Sequence, residues 1–138
     1  MEASTELRDL MLHFYEAISH GDLSILDELL SQQTGFHWIG TDPQEWWDHR
    51  DGAIQAWNLQ TQELGGPVSV RPGNLQAYRQ GDVGWIADQP LGRLPDGTIV
   101  PFRFTAVFER EAAGWKMVQV HASIGAFNED VTGTQLTT

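Results

Sequence analysis

The chain contains no cysteine. Disulfides, thiolate zinc sites and cysteine nucleophiles are therefore excluded. It is also poor in positive charge: one lysine, Lys116, and seven arginines stand against 19 acidic residues, for a net charge of −11. A phosphate-backbone binder needs a basic face. With no lysine or arginine cluster, nucleic acid and anionic membrane surfaces are unsuited as partners. No apolar run approaches the roughly 20 residues of a membrane span. The opening Met1-Glu2-Ala3-Ser4-Thr5-Glu6 lacks the basic and apolar regions of a secretory signal, so a cytoplasmic location is expected. What the chain does have is aromatic bulk, six Trp and six Phe in 138 residues. That is enough to fill a core, line a cavity or anchor an interface.

The length predicts one domain, 1–138, ordered over about 4–126 with a polar tail at 128–138. Leu7, Leu10, Met11, Phe14 and Ile18 recur at helical spacing, with Ser4 or Thr5 as cap and Gly21 as stop. His13, Glu16 and His20 fall off that stripe and are expected in solvent. Asp22 caps a second helix bearing Leu23, Leu26, Leu29 and Leu30. Phe36-His37-Trp38-Ile39 reads as a short strand. In Asp42-Pro43-Gln44-Glu45 the residue types fit a capping box, which predicts a third helix starting there. It would run through Trp46, Trp47, Ile54 and Trp57 to Leu64, and Gly65-Gly66-Pro67 would end it. The remainder is β: Val68 to Tyr78 broken at Pro72-Gly73, then Val83 to Leu91, Thr98 to Arg110 and Trp115 to Ile124, with turn residues between them. This is an antiparallel meander. Helices first and a meander after predict an α+β fold with the helices on one sheet face.

The last hairpin, Phe108 to Ser123, turns at Gly114 and ends in His121-Ala122-Ser123. Together with the opening of helix, Gly21-Asp22 and Leu-rich helix, it resembles the SnoaL-like branch of the nuclear transport factor 2-like superfamily. The likeness covers about residues 4–126. The segment Gly40-Thr41-Asp42-Pro43-Gln44-Glu45-Trp46-Trp47 also resembles one recurring in SnoaL-like proteins, without indicating a reaction. The resemblance implies a cone: a strongly curved antiparallel sheet wrapped around three N-terminal helices. Its open end would be a pocket and its outer sheet face would pair two subunits.

Strand alternation assigns the faces. Val118, Val120, Ala122 and Ile124 are expected inside, with Met117, Gln119, His121 and Ser123 outside. Phe102, Phe104, Ala106 and Phe108 are placed inside, and so are Trp85, Ala87 and Gln89. Gln119, His121 and Ser123 would then meet a second subunit. The last hairpin also resembles the association domain of calmodulin-dependent kinase II, in which the residue between His and Ser faces the cavity and is Arg. Ala122 stands there in this chain, which disfavours anionic ligands. The expected pocket lining is Tyr15, Trp38, Trp46, Trp57, Trp85, Phe102, Phe104, Val120 and Ala122, suited to an uncharged apolar or aromatic molecule.

Candidates for chemistry are few. His121 and Ser123 share a strand face but have no nucleophile elbow or orienting carboxylate, so an interface role is expected. Asp42 and Glu45 could act as bases, yet both serve the expected cap. Asp88 lies mid-strand, expected outside unless a one-residue bulge reverses the phase. Tyr15, beside the Phe14 stripe, could donate a hydrogen bond into the pocket as helix-one tyrosines do in ketosteroid isomerases. The His spacing matches no metal motif, and neither a metal nor a cofactor is expected. Three readings follow: a homodimeric pocket protein for a small molecule, an isomerase, dehydratase or cyclase using Asp42 or Asp88 with Tyr15, and a purely structural dimerisation unit.

Overall fold

The structure, a computed structural model, describes all 138 residues. Strand β1 (Glu2–Ala3) precedes helices α1 (Thr5–Ser19) and α2 (Ser24–Leu29). Strands β2 (His37–Ile39) and β3 (Trp46–Trp47) follow, then α3 (Arg50–Glu63). The rest is β4 (Ser69–Arg71), β5 (Gln76–Gln80), β6 (Val83–Asp88), β7 (Leu91–Arg93), β8 (Ile99–Glu111), β9 (Gly114–Ile124) and a short α4 (Asn128–Thr132). The sheet runs β1-β5-β6-β8-β9-β2-β3, with β4 and β7 continuing it beside the start of β8. It is open and mixed rather than purely antiparallel, because β2 pairs with β9 in parallel. The fold is α+β, with a fourth helix in the stretch expected to be a polar tail. No helix is long and apolar enough to cross a membrane.

The first helix forms where its sequence places it. The Ser4 hydroxyl accepts from the Leu7 amide at 3.1 Å, satisfying one of the donors left free at a helix start. Leu7, Met11, Phe14, Tyr15 and Ile18 are buried on one face. They pack into the concave side of the sheet against Ile86, Phe104, Ala106 and Phe108.

The third helix differs from expectation. Asp42 and Glu45 close a turn, not a helix: the Gln44 amide donates to Asp42 Oδ1 at 2.8 Å and the Asp42 amide to Glu45 Oε1 at 2.9 Å. The turn joins β2 to β3, whose register pairs Trp38 with Trp47 and Ile39 with Trp46. Helix α3 begins eight residues after Asp42, at Arg50, with the His49 ring accepting from the Asp51 amide. Arg50 fixes this start to the end of α2 by donating to the Asp27 carbonyl at 2.7 Å and the Leu30 carbonyl at 3.2 Å. Capping residues satisfy turn donors as readily as helix donors. The pairing of β2 with β9, far along the chain, decides between them.

Two strand phases also differ. In β6 the buried residues are Gly84, Ile86 and Asp88, so Trp85, Ala87 and Gln89 do not face inward. Gly84 lies under Leu7 of α1, and a Cβ there would collide with the Leu7 side chain. The helix can lie this close only because the inward residue is glycine. In β9 a bulge between Val107 and Phe108 of the partner strand leaves Val118 unpaired. Met117 therefore joins Val120 in the core. Downstream of the bulge the expected phase holds for Ala122, while Ile124 is half exposed at the strand end. Gly84→Ala is expected to cost about 1–3 kcal/mol by overpacking, measured as a lower urea midpoint without a changed slope.

Candidate functional site

Helix α3 crosses the open end of the curved sheet and leaves a cavity of about 200 Å³ between them. One wall is the β2–β3 hairpin with Trp38 and Trp47; another is Ala53, Ala56, Trp57, Gln60 and Leu64 of α3 and its end. These α3 positions recur at helical spacing, so they share a face. Phe102 and Ala122 close the sheet side, and Val68, Val70 and Leu94 complete it. Trp38 and Trp57 meet edge to face at 5.1 Å, a favourable arrangement of ring quadrupoles.

The lining is apolar except along one edge, where Thr41, Glu45 and Gln60 meet. The Thr41 hydroxyl donates to Glu45 Oε1 at 3.3 Å and the Gln60 side-chain amide donates to Glu45 Oε2 at 3.0 Å. The Asp42 amide also donates to Oε1. Alternation along β3 sends Glu45 and Trp47 inward while Trp46 points out. Gly40, opposite Glu45, leaves room for it: a Cβ there would stand 2.7 Å from the Glu45 Cβ. Glu45 is the one ionisable side chain of the lining.

Of the residues expected to line a pocket, Trp38, Trp57, Phe102 and Ala122 do so. Phe104 and Val120 lie beneath it in the core. Trp46 is 63% exposed on the outer side, edge-on to His37 at 6.1 Å. Trp85 is also on the outer face, stacked on Tyr78 at 6.5 Å. Asp42 is exposed on the turn. Gln119 and His121 are exposed and Ser123 is half-buried. No three His, Asp or Glu side chains converge as a metal site.

Tyr15 and Asp88 are brought together, away from the cavity. The Tyr15 hydroxyl donates to Asp88 Oδ2 at 2.9 Å, and the two residues are 3% and 6% exposed. Phe14 and Phe104 separate them from the cavity: Phe14 meets Trp57 at 6.4 Å and Phe104 at 6.4 Å, and Tyr15 meets Phe104 at 6.4 Å. Asp88 Oδ1 accepts from the Gly73 amide at 3.1 Å and the Gln89 amide at 2.8 Å. These amides lie where both strand runs break, between β4 and β5 at Pro72-Gly73 and between β6 and β7 at Gln89-Pro90. The carboxylate thus replaces ladder partners at the bend of the sheet. Burial, reinforced by the Asp88 charge and the hydrogen bond to it, raises the Tyr15 phenol well above its usual range. Tyr15 therefore remains a neutral donor. The pair is a clasp between α1 and the bend, with both Asp88 oxygens hydrogen-bonded and buried away from the cavity.

A profile of the SnoaL-like domain matches residues 7–126. The chain belongs to the SnoaL-like domain family. No curated protein matches it in sequence. Among solved structures it is similar to a nuclear transport factor 2-like protein of unknown function from Pseudomonas putida KT2440. That likeness has 16% identity and a TM-score of 0.79, covering 97% of this chain and 96% of the other. A candidate dehydratase of the same superfamily from Streptomyces avermitilis is 17% identical with a TM-score of 0.74, over 88% and 94% of the two chains. A candidate calcium/calmodulin-dependent protein kinase type II association domain from Thiobacillus denitrificans is 22% identical with a TM-score of 0.66, over 85% and 93%. At these identities the likenesses establish the fold, which hosts both enzymes and binding domains.

Sequence reasoning named Glu45 as a carboxylate that could act as a base but assigned it to a helix cap, and it missed Thr41 and Gln60 as pocket residues. Two signals bore on them: the period-two run Glu45-Trp46-Trp47 beside a strand, and the α3 stripe, faint because alanine and glutamine carry half of it.

Tyr15→Phe strands one oxygen of a buried carboxylate and is expected to cost about 1–3 kcal/mol. The raised phenol gives a second readout. The unfolded chain releases this proton near pH 10 and the folded one retains it, so its contribution is complete below about pH 10 and falls as pH rises beyond. Denaturant titrations between pH 8 and 11 should show this fall in the parent protein and a smaller one in Tyr15→Phe.

Proposed function

We propose that this protein is a homodimer that binds a small molecule with an apolar or aromatic body in the α3–sheet cavity, without turning it over. The observation that carries the binding reading is the cavity itself: three indoles and Phe102 around one polar edge. Small-molecule sites are typically built this way, apolar walls giving affinity and a few polar groups giving orientation. The second reading, proton-transfer chemistry, draws support from the Glu45 carboxylate in the same cavity. It is the weaker one because the cavity holds no second acid–base group: Tyr15 and Asp88 are engaged with each other elsewhere, and Asp42 faces solvent.

The dimer reading rests on the composition of the outer sheet face. Strand register aligns Tyr78, Trp85, Val107, Gln119 and His37 in one row. Gln76, Ala87, Thr105, His121, Ile39 and Trp46 form the next. Neither row carries a carboxylate, lysine or arginine, in a chain of net charge −11. Charges return at the margins, with Glu109 opposite Lys116 on one side and Arg103 on the other. An uncharged centre with a charged rim is the usual anatomy of a protein interface.

Tryptophan fluorescence tests the cavity. Saturable quenching by small aromatic compounds is expected, and Ala122→Phe, which fills the cavity from the sheet side, should abolish it while leaving the melting temperature within a few degrees. Flat titrations over a broad panel would remove the binding reading. Turnover that is lost in Glu45→Gln would instead favour the enzyme. For the dimer, sedimentation at about ten micromolar should give twice the 15.5 kDa chain mass. Thr105→Asp combined with His121→Asp, which places charge at the centre of the face, should give monomers; a monomeric parent protein would refute the interface.

A further inference from the structure

Resting on the cavity reading above, we infer that the ligand is an organic cation: an aromatic or aliphatic body bearing a protonated amine, held with its ammonium against Glu45. The argument begins with hydrogen-bond capacity along the polar edge. The Thr41 hydroxyl and the Gln60 amide nitrogen both donate to Glu45, so the donors of that edge are turned inward upon the carboxylate. A carboxylate has about four acceptor sites. Glu45 fills three, two on Oε1 with the Asp42 amide and Thr41 and one on Oε2 with Gln60. What the edge offers a ligand is acceptors: the open site on Oε2 and the Gln60 carbonyl oxygen. A ligand must bring donors.

Charge separates an ammonium from a neutral donor. Glu45 takes part in none of the ion pairs of the structure, and no lysine, arginine or histidine lines the cavity. A neutral ligand filling the space would strip water from the carboxylate and supply no counter-charge, which is costly. An ammonium supplies both the charge and the donors, and charge-assisted bonds are the stronger kind. Trp38, Trp47 and Trp57 add π surface that attracts cations. The chain's net charge of −11 favours the approach of cations over anions. An anionic ligand meets an unscreened carboxylate and is excluded.

Three probes of one shape test this by calorimetry and tryptophan quenching at neutral pH: 2-phenylethylammonium, 2-phenylethanol and phenylacetate. The ammonium is expected to bind about tenfold or more tightly than the alcohol, the scale of one charge-assisted contact, with phenylacetate weakest. Glu45→Gln, nearly identical in shape, should erase the advantage of the ammonium over the alcohol. The comparison of the three probes on the parent protein needs no variant. An alcohol that binds as tightly as the ammonium overturns the cation inference and leaves the cavity reading standing. Ammonium preference that persists in Glu45→Gln also overturns it. Saturable binding by none of the three overturns both.

Discussion

A sheet that bends sharply must interrupt its own hydrogen-bond ladder, and here one carboxylate makes the interruption tolerable. At the bend the strand runs break at Pro72-Gly73 and Gln89-Pro90, leaving two amides outside the ladder. Asp88 accepts from the Gly73 and Gln89 amides, and its second oxygen accepts from Tyr15 on the helix lying in the concavity. Curvature, helix placement and the depth of the core meet in this group. Without it the buried Tyr15 hydroxyl would lose its partner, at a cost of about 1–3 kcal/mol, and the Gly73 and Gln89 amides would turn to solvent. Phe14 and Phe104 then seal the clasp from the cavity. The interior thus has two compartments, one polar and closed, the other open and nearly apolar.

The two compartments assign different work to the acidic residues. Asp88 is wholly engaged in architecture. Glu45 lies at a surface that a ligand can reach, with its neighbours arranged to hold it and one side still open. Three segments distant in sequence cooperate there: the β2–β3 turn supplies Thr41 and Glu45, α3 supplies Gln60, and β8 and β9 supply Phe102 and Ala122. The scaffold is common to proteins of many functions. The particular edge arises from a hairpin that brings a carboxylate against a helix amide.

Much of the fold was legible because local and global signals agreed. The Leu7–Ile18 stripe and the turn at Gly114 each admit one reading, and of the two caps offered, Ser4 or Thr5, the structure uses Ser4. The resemblance carried by the last hairpin supplied the cone. The β2–β3 region was illegible for a physical reason: Asp42, Pro43 and Glu45 satisfy the same donors in a turn as in a capping box, and only the distant β9 distinguishes them. Faces in β6 were misassigned because a large Trp85 suggests an inside and a glycine does not, although Leu7 requires Gly84 there. The Val118 bulge explains why Met117 and Val120 are both buried, a parity change that no alternation rule foresees. Tyr15 and Asp88 were both singled out from sequence, but their contact with each other, 73 positions apart, was not.

The parallel pairing of β2 with β9 has a consequence for how the molecule assembles. His37, Trp38 and Ile39 find their partners at Gln119, Val120 and His121, near the other end of the chain. The meander from β5 to β9 can zip through neighbouring contacts, but β2 and the β3 hairpin have no sheet edge to join until β9 is in place. Closing so long a loop is entropically expensive. The wall bearing Trp47 and Glu45 therefore completes its sheet pairing only once β9 is in place and, on a ribosome, only after His121 has emerged. The cavity, lined by Trp38 and Trp47 on one side and Ala122 on the other, is complete only once this pairing has formed.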